Sequence, residues 1–375
     1  MISTRIIGTT ALLALAGLAL PLLLGQAATP ANLPAPVRIN PPEGVSAAPV
    51  VNHKKTDQMR GFSMQLVKTS PQEGIDHYLK AIDDIADMGC TWINLAVAAH
   101  QDNVHSEALG INWNNVPSPA DILKIMARAK SRGMGIMLMP MVLLNNSGSK
   151  DWRGIIKPED KEGEQHGWDN WFASYNKFIA EDMAAMATKG NVDIFCVGSE
   201  LLSTEPFRDR WIATIANIRS KYKGKLTYSA NWDHYEAVTF WDQLDYIGMN
   251  NYNELGNEKD TVTKLNGAWL PIKEKVLKFA AEKKKPFMFT EVGWHNLNNT
   301  LKEPWNYVAE GHIDLSEQLH AFQSFTETWQ PVPKDQFMGF FIWEWCPLGH
   351  VTDRGTYSLQ DTPALEVVKK WFAAP

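Results

Sequence analysis

The 375-residue chain is poor in the features that most readily name a chemistry. It has only three cysteines, Cys90, Cys196 and Cys346, whose spacing fits neither a metal knuckle nor a redox pair. Each falls in or beside an apolar segment, which points to buried free thiols and away from a disulfide framework. Basic charge is not in excess: 36 Lys and Arg against 42 Asp and Glu leave a net charge of -6. No basic face for nucleic acid or anionic lipid is implied, so the expected partner is neutral or weakly polar. A phosphate loop is missing, and no GxGxxG pattern follows the first apolar run. His100 and His105 lack the spacing of a helical zinc pair, and Gly198-Ser199-Glu200-Leu201 has no glycine two residues beyond the serine, which a serine elbow needs. No cofactor and no metal are expected.

What is present is enough apolar material, 45% of the residues, for a large core. Residues 1–27 carry one early charge, Arg5, then a long apolar stretch that ends in Gly25-Gln26-Ala27, a small-x-small cleavage site. They read as an export signal, so the mature chain is expected to be secreted or periplasmic, without a membrane partner once the signal is removed. The alternative is an uncleaved anchor, because residues 6–25 nearly suffice to span a bilayer. Residues 28–58 are rich in Pro and Ala without periodicity and read as an unstructured lead. One folded domain is expected over 59–375, as a monomer.

Along that domain, apolar runs occur at residues 60–66, 92–99, 135–144, 192–201, 226–232, 246–252, 287–294 and 339–345. They are apolar throughout, as in strands covered on both faces. Helix starts lie between them. Ser70-Pro71-Gln72-Glu73 and Ser118-Pro119-Ala120-Asp121 each offer a capping serine, a proline at the first helical position and an acid placed to return the bond. Asp314 with Glu317, and Thr362-Pro363, open two more, while Gly133 and Gly190 sit where helices stop. Eight strands with intervening helices predict an α/β fold, the (β/α)8 TIM barrel, as a single catalytic domain. A doubly wound open sheet is the rival, disfavoured by the strand count and the missing glycine loop.

In a barrel, sites collect at the carboxyl ends of the strands. The fourth run ends on Glu200 and the seventh delivers Glu291, at ends that lie across the mouth from each other. Alone, either acid could be the first solvated residue of a loop. Together they suit glycosidic bond cleavage, in which one acid protonates the departing oxygen and the other attacks the anomeric carbon or activates water. Spacing alone leaves open which acid does which.

The set GSEL at the fourth strand, TEVGW at the seventh and FIWEW at the eighth resembles the retaining barrel glycosidases of clan A, and within it glycoside hydrolase family 113, whose known members are chiefly β-mannanases. The resemblance spans residues 59–371. It implies Glu200 as acid/base and Glu291 as nucleophile. Ser199 departs from the asparagine that most of the clan places there. By the same matching Asn146, Trp152 and Arg153 line the sugar at the cleavage point and Tyr252 hydrogen-bonds the nucleophile, although a loop folded on itself and a structural tyrosine are the plain alternatives. Asn231 and Trp232 end the fifth strand, Gln101 and Asp102 follow the second, and Trp294 and Trp343 are further sugar-facing candidates. Strand alternation puts Trp343 and Trp345 on one face and Glu344 on the other, so Glu344 is expected to point away as a structural ion-pair partner. The polar stretches 145–167 and 295–311 follow strands and should overhang the mouth. The implied partner is a β-linked polysaccharide or oligosaccharide, mannan or glucomannan first, with another β-glycan or non-catalytic polysaccharide binding as alternatives.

Overall fold

A computed structural model describes residues 58–374, except 71, 149, 161–165 and 350–354. The expected signal and nearly all of the lead therefore lie outside the described residues. Among the described residues no helix is long and apolar enough to cross a membrane.

Eight parallel strands form the barrel: β1 (Met59–Gln65), β2 (Trp92–Gln101), β3 (Gly135–Leu144), β4 (Ile194–Ser199), β5 (Lys225–Ala230), β6 (Ile247–Asn251), β7 (Phe287–Val292) and β8 (Phe337–Ile342). Each pairs with its sequence neighbour, and β1 pairs with both β2 and β8, so the sheet closes and the (β/α)8 barrel is the fold. A two-residue strand, Leu109–Gly110, adds antiparallel to the end of β2. Closure depends on Gly339 at φ +140: a Cβ there would lie 1.9 Å from the Met59 carbonyl oxygen, so only glycine lets β8 dock on β1.

Strand alternation sorts the side chains into three clusters. Met59, Trp92, Met137, Ile194, Met288 and Phe341 fill the barrel floor near the strand starts. Cys196, Met139, Met141, Tyr252, Trp343 and Tyr357 form a second cluster nearer the strand ends. The outward residues, such as Phe195, Val197, Phe287 and Phe289, pack on the helices in the largest cluster. Each large apolar side chain so buried contributes about 1.5–3 kcal/mol.

The outer layer holds α1 (Asp76–Asp87), α2 (Pro119–Ser131), α3 (Gly167–Asn176), α4 (Ala185–Lys189), α5 (Arg208–Lys221), α6 (Val262–Lys283), α7 (Leu315–Trp329) and α8 (Pro363–Phe372). A π-helical segment, Lys177–Ala184, joins α3 to α4. Ser118 accepts from Asp121 N, and Asp314 from Ser316 N and Glu317 N, as capping residues should. The first expected start differs. Glu73 reaches back to the backbone N–H and hydroxyl of Thr69, closing a turn of its own, and α1 begins only at Asp76. Gly74 intervenes, a residue that resists helix. The crossover from β5 to β6 has no α-helix; it is made of two 3-10 turns, Tyr235–Ala237 and Trp241–Gln243.

Candidate active site

Both glutamates reach the mouth through breaks in strand regularity. On β7, Phe289 and Val292 both pack on the helix layer although they are three residues apart, which strict alternation forbids. The register shifts between them, and this bulge turns Glu291 inward beside Thr290, whose hydroxyl meets that of Ser229 at 2.7 Å. On β4 the register shifts between Cys196 and Ser199, and Glu200 then takes φ 54, a left-handed conformation uncommon for a residue with a side chain. That turn is held from both sides. Glu200 N donates to Ser229 O at 2.9 Å, and Leu201 N donates to the Tyr228 hydroxyl at 2.8 Å. Tyr228 in turn donates to Glu205 Oε1 at 2.8 Å.

Glu200 and Glu291 are both fully buried. Arg153 Nη2 lies 2.5 Å from Glu200 Oε2, in an ion pair that is itself buried, and Asn250 Nδ2 donates to Glu200 Oε1. Asn250 is the register partner of Glu291 in the β6–β7 pairing, but among the described residues its side-chain amide donates to Glu200 alone. Its orientation is fixed by Trp232 N, which donates to Asn250 Oδ1 at 2.9 Å. Glu291 Oε2 accepts from the Tyr252 hydroxyl at 2.8 Å, while its Oε1 has no partner among the described residues.

Burial pushes both carboxyls above the ordinary range, and the charge of Glu200 pushes Glu291 further, up to about 8. Arg153 opposes the rise at Glu200 directly, whereas Glu291 has a phenol in contact and the guanidinium farther off. In the free protein, charge therefore sits more comfortably on Glu200 than on Glu291. Asp233, exposed at the rim, works the other way on Glu200.

The remaining candidates divide. Tyr252 and Trp343 are buried in the mouth cluster, and Trp232 packs against it half-buried, with Trp305 and Tyr307 from the 295–311 stretch. Asn231 is buried with an unpartnered Oδ1. Arg153 opens a 3-10 turn, Arg153–Ile155, after β3. Trp152, just before it, lies over Gly154, where a Cβ would come within 2.3 Å of the indole. Asn146 is exposed at the rim and donates to Asp102. Gln101 is tied instead to Asn103 O and to Trp171 Nε1, so it serves the scaffold. Ser199 is buried with no partner for its hydroxyl among the described residues.

Trp294 does not join the site. It shares the outward parity of Val292 and packs edge-on against Phe322 at 5.0 Å, among the helices. The expectation for Glu344 also fails. β8 ends at Ile342, so its alternation does not extend to the FIWEW tail. Trp343 lies in the mouth, Trp345 packs outward on Phe62 at 5.2 Å, and Glu344 accepts from Gln65 Nε2 at 2.7 Å, on the side where its charge raises Glu291. No ion pair of Glu344 forms among the described residues.

Sequence reasoning missed Asn250, Tyr357, Glu205 and Tyr228. Asn250 was within reach, because it sits one strand period before Tyr252 in GMNNY and so shares its inward face. Tyr357, which donates to Pro304 O at 2.5 Å, has no comparable signal. Elsewhere, Glu258, His312 and Asp314 bring ligand atoms within 4.8 Å of one another, but an Asp314 oxygen already caps α7.

Two buried, interacting carboxyls under an aromatic rim at the carboxyl end of a β/α barrel are the equipment of a glycosidase. The comparisons agree. The model of Glycoside Hydrolase Family 113 matches residues 75–356. The chain belongs to that family and is a glycoside hydrolase of clan A, which implies a polysaccharide as its substrate class. Its fold is similar to the GH113 β-mannanase AaManA of Alicyclobacillus acidocaldarius, solved in complex with ManMIm, at 27% identity over 84% of this chain and 97% of that one, with a TM-score of 0.73. A GH113 β-1,4-mannanase complex is similar at 25% identity over 85% and 100%, TM-score 0.74. A β-glucuronidase of Faecalibacterium prausnitzii shares the fold alone, at 13% identity over 85% of this chain and 49% of that one, TM-score 0.58. No curated protein matches the chain.

Proposed function

We propose that this protein is a secreted, retaining, endo-acting β-glycanase that cleaves β-1,4-mannan or glucomannan with Glu291 as nucleophile and Glu200 as acid/base. The observation that carries the chemistry is the pair of buried acids, one at the end of β4 and one on β7, with the charge of Glu200 acting on Glu291. The mannan preference rests on the β-mannanases to which the chain is similar. In the first step Glu291 attacks the anomeric carbon while Glu200 protonates the leaving oxygen; in the second, water attacks that carbon as Glu200 takes its proton, and the bond to Glu291 breaks to release the sugar with its original β configuration. Trp343 and Trp232 offer flat apolar faces for pyranose rings. Export is read from the apolar start and its small-residue site. Amino-terminal sequencing of protein from the native host should find the chain beginning near Ala28, and an intact Met1 in a membrane fraction would overturn this.

One observation favours a second reading. Arg153 stabilises the charge on Glu200, and Glu291 holds its proton up to about 8, an arrangement that suits Glu200 as nucleophile and Glu291 as acid. Under the first reading, bound sugar must draw the shared proton across to Glu200.

Azide rescue separates the two. With an activated aryl β-glycoside, Glu200→Ala should give a burst of phenol and then slow turnover, because water lacks its base. Added azide needs no base, so it should restore turnover and yield the β-glycosyl azide. Glu291→Ala should lose roughly 10^4-fold or more on every substrate. A β-azide from Glu291→Ala, with Glu200→Ala dead on the activated substrate, would select the reverse assignment. Endoglucanase-like activity would appear as faster release of reducing ends from cellulose than from mannan, and a purely binding barrel as none from either.

A further inference from the structure

The mechanism leaves one mouth carboxyl unused. Glu344 stands on the short segment between Trp343, which lies in the mouth cluster, and Trp345, which lies in the helix layer. Gln65, the last residue of β1, donates to its Oε2 at 2.7 Å. No bond to its Oε1 forms among the described residues, and because the residue is half-buried that oxygen is not sealed from solvent. It follows Trp343 directly and is held by the residue that ends β1, which puts it at the mouth end of the barrel, where its charge also bears on Glu291 and Tyr357.

An acid with a purely structural role normally has a cation or several donors fixed on it, because burying a carboxyl without them costs free energy. Glu344 has one neutral donor. Gln65 fixes the plane of the carboxyl and leaves the other oxygen free to accept.

We propose that Glu344, oriented by Gln65, binds a hydroxyl of the sugar seated beside Glu291 and so helps select a neutral, hydroxyl-bearing pyranose. The inference rests on the glycosidase reading of this mouth. Burial holds Glu344 at about 7, so near neutrality it can accept from a hydroxyl as carboxylate or donate to one as acid. A uronate would instead bring a third carboxylate toward Glu291 and Glu344, and the site should reject it.

The test compares wild type, Glu344→Ala and Glu344→Gln on a neutral β-manno-oligosaccharide and on its monodeoxy analogues. A charge-assisted bond to a hydroxyl predicts that Glu344→Ala lowers kcat/KM roughly 10- to 150-fold, with Glu344→Gln in between. One deoxy analogue should be a poor substrate for wild type, yet cost Glu344→Ala nothing further. If both variants stay within twofold of wild type, or if the losses multiply for every deoxy position, Glu344 reads no hydroxyl. The isosteric Gln variant carries the test should the Ala variant fold poorly. A wild-type protein inactive on every β-glycan would instead remove the glycosidase reading, and this inference with it.

Discussion

At the end of β4 the chain itself turns to deliver Glu200, with φ 54 and a clamp of Ser229, Tyr228 and Glu205 around the turn. At β7 the backbone stays in the sheet, and a one-residue slip of register aims Glu291 inward. Equal burial thus arises by different routes, and the charge environments differ more than the geometry does. Glu200 lies against a guanidinium and an amide, Glu291 against a phenol, with an unpartnered oxygen. The lesson is that a strand end fixes where an acid stands, while side chains from other segments decide when it is charged.

Removing the cation breaks the comparison most severely. Arg153→Met leaves Glu200 buried without its partner, and losing one member of a buried pair costs roughly 3–5 kcal/mol. Urea denaturation should show that loss near neutral pH. It should shrink in acid, where Glu200 takes a proton.

Tyr252→Phe tests the other side. The phenol lowers Glu291, so its loss raises that carboxyl further. The two acids interact, so the limbs of the kcat/KM profile belong to the pair. With Glu291 as nucleophile the acid limb should move upward more than the alkaline limb, and kcat/KM at pH 5 should fall about tenfold, the scale of one hydrogen bond to a charged group. Greater movement of the alkaline limb would favour the reverse roles.

The smallest effect is on stability. Glu291 has its pKa raised in the fold, so between its unfolded value, about 4.3, and about 8 the native state holds more proton than the unfolded chain. Stability from this group is therefore lost as pH rises through that window. Glu291→Gln cannot ionise and should melt a few degrees above wild type at pH 8, with the gap closing by pH 4. A gap that widens toward acid would mean that the folded protein prefers the charged form.

These contrasts also mark how far the sequence could be read. Eight apolar runs end within a few residues of the eight strands because burial on both faces leaves a continuous hydrophobic signature. The positions of Glu200 and Glu291 at strand ends were legible for the same reason. Facing was not. A tryptophan beside a strand end carries no facing of its own, and Trp294 follows the outward parity of Val292, while the alternation that sets Glu344 aside fails because β8 has already ended. The Arg153–Glu200 pair joins the loop after β3 to the end of β4, and neither segment's local pattern encodes that contact.

The measurement that tests the central claim most directly is covalent capture. A 2-deoxy-2-fluoro β-mannosyl donor with a good leaving group slows release of a glycosyl-enzyme, so the intermediate should accumulate and survive proteolysis for mass spectrometry. A single added sugar on the peptide that carries Glu291 is the expected result. A label on Glu200 would reverse the roles, and absence of any label, with an inverted product from natural substrate, would contradict double displacement altogether.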